Sequence, residues 1–119
     1  MARALTRPIH GVVGRYVVQT RCPSDVGIAT VDFDPPGAGQ VGLVLRADAQ
    51  AQLPVGYVEA LWVGIRDGLT EVDGSPLVAA IVTLRDARHH EVDSRPFSFE
   101  QAGRLIADEV RARLAGPGE

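Results

Sequence analysis

The spacing of apolar residues changes period three times along this 119-residue chain, and the order of those periods constrains the fold more than any other feature. Between Ile9 and Thr20, the β-branched and aromatic residues Val12, Val13, Tyr16, Val17 and Val18 predict a first strand. Arg21-Cys22-Pro23-Ser24-Asp25 reads as a turn. From Val26 to Asp34, Ile28, Thr30 and Asp32 alternate with Ala29, Val31 and Phe33, the two-residue period of a half-buried second strand. Pro35-Pro36-Gly37-Ala38-Gly39 ends it, and Val41-Gly42-Leu43-Val44-Leu45 makes a third. Short connections predict antiparallel neighbours.

The period then becomes helical. Val58, Leu61, Trp62, Ile65 and Leu69 fall on one stripe, with Pro54 suited to the first turn. Gly64 and Gly68 each cost about 1 kcal/mol relative to alanine inside a helix, so their presence on one face predicts a close approach to the sheet. Asp73-Gly74-Ser75-Pro76 is a turn. Leu77 to Leu84 is nearly continuous in apolar residues and predicts a buried fourth strand. Asp86 to Asp93 reads as a polar loop. Phe99, Ala102, Gly103, Ile106, Val110 and Leu114 make a second helical stripe, with Ser94 or Ser98 as its cap and Gly116-Pro117-Gly118 as its stop. The order strand-strand-strand-helix-strand-helix predicts an α+β two-layer sandwich: a four-stranded sheet with two helices on one face. One domain spanning 1–119 is expected, with its core over about residues 9–114.

Composition removes several classes of function. The chain is 45% hydrophobic and 23% charged, as a soluble globule would be. No apolar run reaches the roughly 18 residues of a membrane span. The start, Met1 to Pro8, has no apolar core of a secretory signal. A cytoplasmic protein without a membrane partner is therefore expected. Cys22 is the single cysteine, which fits a reducing compartment and excludes a cysteine-based zinc cage. All 12 basic residues are arginine. Without lysine there is no G-K-[ST] phosphate loop and no Schiff-base chemistry. A formal net charge of -3 excludes a polycation held on nucleic acid by bulk charge.

Two segments are more specific. The first is Tyr16-Val17-Val18-Gln19-Thr20, five loop residues, then Val26-Gly27 and a strand ending Asp32-Phe33-Asp34-Pro35. The second is Leu84-Arg85-Asp86-Ala87-Arg88-His89-His90-Glu91-Val92-Asp93-Ser94, running into the last helix. Both resemble domain IV of elongation factor G and its relatives, the tetracycline ribosomal-protection proteins, which carry Y-x-x-Q-T and later Y-H-D-V-D-S. Pro54-Val55-Gly56-Tyr57-Val58 is similar to the family's P-G-x-Y-I segment. The resemblance covers residues 11 to 114 and implies a left-handed helical crossover between the third and fourth strands. GHMP kinases and the RNase P protein share that fold, so the fold alone does not fix function.

In elongation factor G this domain is the tip that enters the decoding centre. The resemblance implies a non-enzymatic translation-related protein with no GTP, no cofactor, no metal and no catalytic residue, acting through the ribosome or RNA. The candidate RNA or ribosome contacts are Arg21, Arg46, Arg88, His89 and His90, the cations of the expected tip loops. The first two loops depart from the family pattern. Arg21-Cys22-Pro23-Ser24-Asp25 replaces a glycine-rich loop; Pro23 removes a backbone donor and Asp25 adds a charge that phosphate repels. Arg46 to Leu53 lacks the paired glycines of the second loop. These departures motivate an alternative, a protein-binding module or homodimer that kept the fold and lost the RNA role. His89 and His90 are adjacent and would point opposite ways in a strand, which disfavours one shared metal. Asp93 and Ser94 are read as helix caps, Trp62 as core, and Gly11, Gly14, Gly37 and Gly39 as turn or bulge residues.

Overall fold

The computed structural model describes residues 3–18, 25–48, 51–89 and 94–115. The elements are β1 (Arg3–Ala4), β2 (Ile9–Val18), β3 (Asp25–Asp34), β4 (Leu43–Ala47), α1 (Val55–Gly68), β5 (Val78–Arg88) and α2 (Pro96–Ala115). They form one sheet and a helical layer, the α+β sandwich expected from the periods. The sheet has five strands rather than four, because Arg3 and Ala4 add a short parallel strand to β5 at Val78 and Ala79.

β5 is the central strand, which is why its first half is apolar on both sides. It pairs antiparallel with β3 from Ile81 to Arg88 and parallel with β4 from Ala80 to Leu84. β2 pairs antiparallel with β3. β4 thus bypasses β3, its predicted antiparallel neighbour, and reaches β5 instead. β5 also runs past its apolar stretch. Asp86, Ala87 and Arg88, read as loop, are held in the ladder by Thr30, Ala29 and Ile28.

Phe33, Val31, Val82, Leu84, Leu61, Ile65, Phe99 and Ile106 are fully buried between sheet and helices. α2 lies directly on β2 and β3. A Cβ on Gly14 would sit 2.2 Å from the Ala102 carbonyl oxygen, and one on Gly27 would sit 2.7 Å from that of Ser98. Gly14 is therefore a packing residue, not a bulge. The α1 glycines meet α2 rather than the sheet: a Cβ on Gly64 would lie 2.1 Å from the Glu100 oxygen, and one on Gly103 would lie 2.4 Å from that of Leu61. Two backbones cross where neither carries a side chain.

Pro54 precedes α1 with φ -54° and ψ 145°, and its carbonyl accepts from Tyr57 and Val58. At the other end Arg111 donates to the carbonyls of Gly68 and Thr70 at 2.6 and 3.1 Å, satisfying groups that helix ends leave unpaired. Ser94 Oγ donates to the Val26 carbonyl at 2.6 Å, tying β3 to the approach to α2. Ser98 lies within α2 and is buried, so it is not the cap.

Candidate functional site

The molecule measures 43 × 28 × 26 Å, and strand direction gives its long axis two distinct ends. β2 ends and β3 begins at the paired residues Val18 and Asp25, while β5 ends at Arg88, paired with Ile28. Both helices start at this same end. The Tyr57 hydroxyl donates to the Ser94 carbonyl at 3.0 Å, its ring stacks on Phe99 at 5.1 Å, and His89 meets it edge-on at 5.8 Å. The start of α1, the end of β5 and the approach to α2 therefore meet at one tip.

An ion pair fastens that tip. Asp25 is fully buried, and Arg95 donates to both of its oxygens, from Nη2 to Oδ2 at 3.0 Å and from Nε to Oδ1. A carboxylate taken from water needs such a partner. Donating to the Asp25 carboxylate raises the pKa of Arg95. The sequence placed Asp25 in a loop, as a charge exposed to phosphate. It is instead the first residue of β3, with its charge engaged inside the fold. Arg95 also lies 5.5 Å from the centre of the Phe97 ring, which Tyr16 meets edge-on at 6.0 Å.

The sheet face away from the helices carries two arginines at the tip. Arg15 pairs with Ile28, and Ile28 with Arg88. Cross-strand partners point to one face, and Gly14 and Gly27 point to α2, so Arg15, Ile28 and Arg88 face outward together. At about 4.8 Å per strand spacing, the two arginine backbones stand about 10 Å apart. Both are exposed, and neither has an ion-pair carboxylate among the described residues.

The predicted contacts separate accordingly. Arg88 and His89 lie at the tip. Arg46 is not in a loop: it is within β4, paired with Thr83, five residues before Arg88 along β5, or about 16 Å at 3.3 Å per residue. Arg21 and His90 lie outside the described residues, as does Cys22. Sequence reasoning missed Arg15, although its alternation with Gly14 and Tyr16 already assigned it to the outward face. It also missed Arg95.

A second polar group lies farther down the open face. Gly11, at φ 68° in the irregularity of β2, donates its N–H to Asp32 Oδ1 at 2.8 Å. Arg85 donates to Asp32 Oδ2 at 2.7 Å and to Asp48 at 3.1 Å. Desolvation pushes the Asp32 carboxyl up, but Gly11 and Arg85 outweigh it and the pKa lies below the ordinary 3.8. His10 Nε2 lies 2.7 Å from Asp34 Oδ1, and this hydrogen bond raises the His10 pKa above 6.5. The signs are opposite. His10 contributes stability that is complete below 6.5 and lost as pH rises through its raised value; Asp32 contributes stability present above 3.8 and lost as pH falls. The His10 ring resonances are expected to titrate above 6.5, and Asp34→Asn should move the midpoint down. An unmoved midpoint would exclude the pair in solution. Among the described residues, no group of three or more His, Cys, Asp or Glu side chains is placed to hold a metal.

No family model matches the chain. It is 40% identical over 115 residues to Elongation factor G 2 of Streptomyces coelicolor, an alignment covering 87% of this chain and 17% of that protein. The crystal structure of a Thermus thermophilus protein superposes over 90% of the chain with a TM-score of 0.70 at 24% identity, which bears on the fold alone. This is an elongation factor G domain IV-like domain. It spans about one sixth of the length of these relatives, at 17% and 16%. No helix among the described residues is long and apolar enough to cross a membrane.

Proposed function

We propose that this domain acts without catalysis, docking its tip on ribosomal or ribosome-bound RNA. The observation that carries the reading is the outward pair Arg15 and Arg88 at the tip of a domain IV-like fold. Two guanidiniums without an ion pair among the described residues, with His89 beside them, offer donors to phosphate oxygens and flat groups on which exposed bases stack. Arg46 extends this positive character down the face, while Arg21 and His90 belong to the two segments that leave the tip strands. The burial of Asp25 under Arg95 removes the acidic charge that would have opposed RNA there. The lysine-free sequence offers no phosphate loop for GTP, so docking uses binding energy alone.

Co-sedimentation with small ribosomal subunits at moderate salt tests this. The domain is expected in the subunit fraction, and Arg15→Glu with Arg88→Glu should weaken retention about tenfold or more by replacing two phosphate contacts with repulsion. Arg46→Glu, remote from the tip, should weaken it less. Absence of the unaltered domain from that fraction would remove the reading.

The open face also favours a second reading, a protein-binding or self-associating module. Val13 and Val44 are 53% and 38% exposed there, with half-buried Ile28 diagonal to Val13 and half-buried Ile81 paired with Val44. Light scattering across a concentration series tests the homodimer; a constant monomer mass would eliminate it.

A further inference from the structure

At the end opposite the tip, the segment joining β1 to β2 and the last turn of α2 line a half-open cavity of about 150 Å³. Arg3, Arg7 and Arg113 line it, over apolar walls from Leu5, Ile9 and Leu114. A second cleft of about 240 Å³ shares Arg3 and Leu114 and adds Arg111. Four of the 12 arginines thus surround one small region of a chain whose net charge is -3.

Among the described residues, the cations there are poorly neutralised. Arg113 is paired with Glu109 at 2.9 Å. Arg111 spends its donors on the uncharged carbonyls of Gly68 and Thr70, so its charge persists. Arg3 and Arg7 have no ion-pair carboxylate among the described residues. Capping of α1 explains Arg111, and the Glu109 pair explains Arg113. Neither explains why Arg3 and Arg7 line the same cavity.

We propose that this cavity binds a small oxyanion, a phosphate or carboxylate group held by Arg3 and Arg7, with Arg113 as a third wall. Planar guanidiniums match both groups through paired N–H donors. A volume of about 150 Å³ suits a small ion or the anionic head of a small metabolite, and is well below what a drug-sized ligand fills. The site is independent of the tip and stands whether or not the domain docks on RNA.

The test is an NMR titration of the isotope-labelled domain with inorganic phosphate, pyrophosphate and citrate, each against sodium chloride at equal ionic strength. Saturable shifts of the amides of Leu5, Thr6, Arg7, Ile9 and Leu114 are expected. Arg7→Gln, an exposed substitution, should weaken binding about tenfold through loss of a charged donor, and Arg15→Gln at the tip should leave it unchanged. Tighter binding of pyrophosphate assigns a phosphate ligand; tighter binding of citrate assigns a carboxylate. Shifts that stay linear, that chloride reproduces, or that survive Arg7→Gln would overturn the proposal.

Discussion

Gly64→Ala is expected to lower the midpoint of thermal unfolding by about 8 °C, although alanine is the better helix former. The added methyl would lie 2.1 Å from the Glu100 carbonyl oxygen and 3.0 Å from the Arg104 nitrogen. Both are backbone atoms of α2, so no rotamer change relieves the clash; the helices must separate. Overpacking of this kind costs about 3 kcal/mol, against about 1 kcal/mol gained in helix propensity, and the net of about 2 kcal/mol sets the shift.

Gly56→Ala, in the first turn of the same helix, is the control. Beyond its chain neighbours and the backbone of its own helix, no atom lies within 4 Å of the position its Cβ would take. Only the backbone term remains there, and the midpoint should rise by about 3 °C. The same chemical change in one helix then has opposite signs, decided by the distance to α2. Scanning calorimetry on both variants measures this; a Gly64→Ala midpoint at or above that of the unaltered domain would show that the helices do not cross as closely as described.

The sequence announced such a contact but assigned it to the wrong partner, the sheet. Gly64 and Gly68 stood out as costly residues on one helical face, but nothing local distinguishes a sheet from a second helix across a gap. The same limit governed the strands. Alternation in Val26–Asp34 was enough to place β3, because burial of one face repeats every two residues. Pairing is non-local, so the path of β4 to β5 and the addition of Arg3 and Ala4 as β1 had no local signal. The polar end of β5 looked like a loop for a related reason: Asp86 and Arg88 face water while β3 holds their backbone.

The candidate site divides along the same line. Arg88 and His89 were found because they carry a family segment. Arg15 was legible from strand parity, since the residue between inward Gly14 and Tyr16 must face out. Asp25 was not legible. Its burial depends on Arg95, 70 residues away in sequence, and an acidic residue shortly after a proline reads as a turn until that partner is placed.

The core and the tip are coupled through one ring, and its removal is expected to have the largest effect of any single change. Phe99 is fully buried in the first turns of α2 and stacks on Tyr57 with 19° between the rings. Phe99→Ala deletes a ring that no neighbour replaces, at a cost of about 4 kcal/mol, and the midpoint should fall by about 15 °C. Phe99→Leu keeps most of the volume and should cost about 1.5 kcal/mol. The stack also orients Tyr57, whose hydroxyl reaches Ser94 and whose ring meets His89. Tyr57→Phe, which keeps the ring and loses one hydrogen bond, should cost about 1 kcal/mol. In Phe99→Leu, still folded at 25 °C, the His89 ring resonances should move toward those of an unstructured peptide as Tyr57 loses its support. A His89 spectrum indifferent to Phe99→Leu would mean that the tip is positioned without this ring.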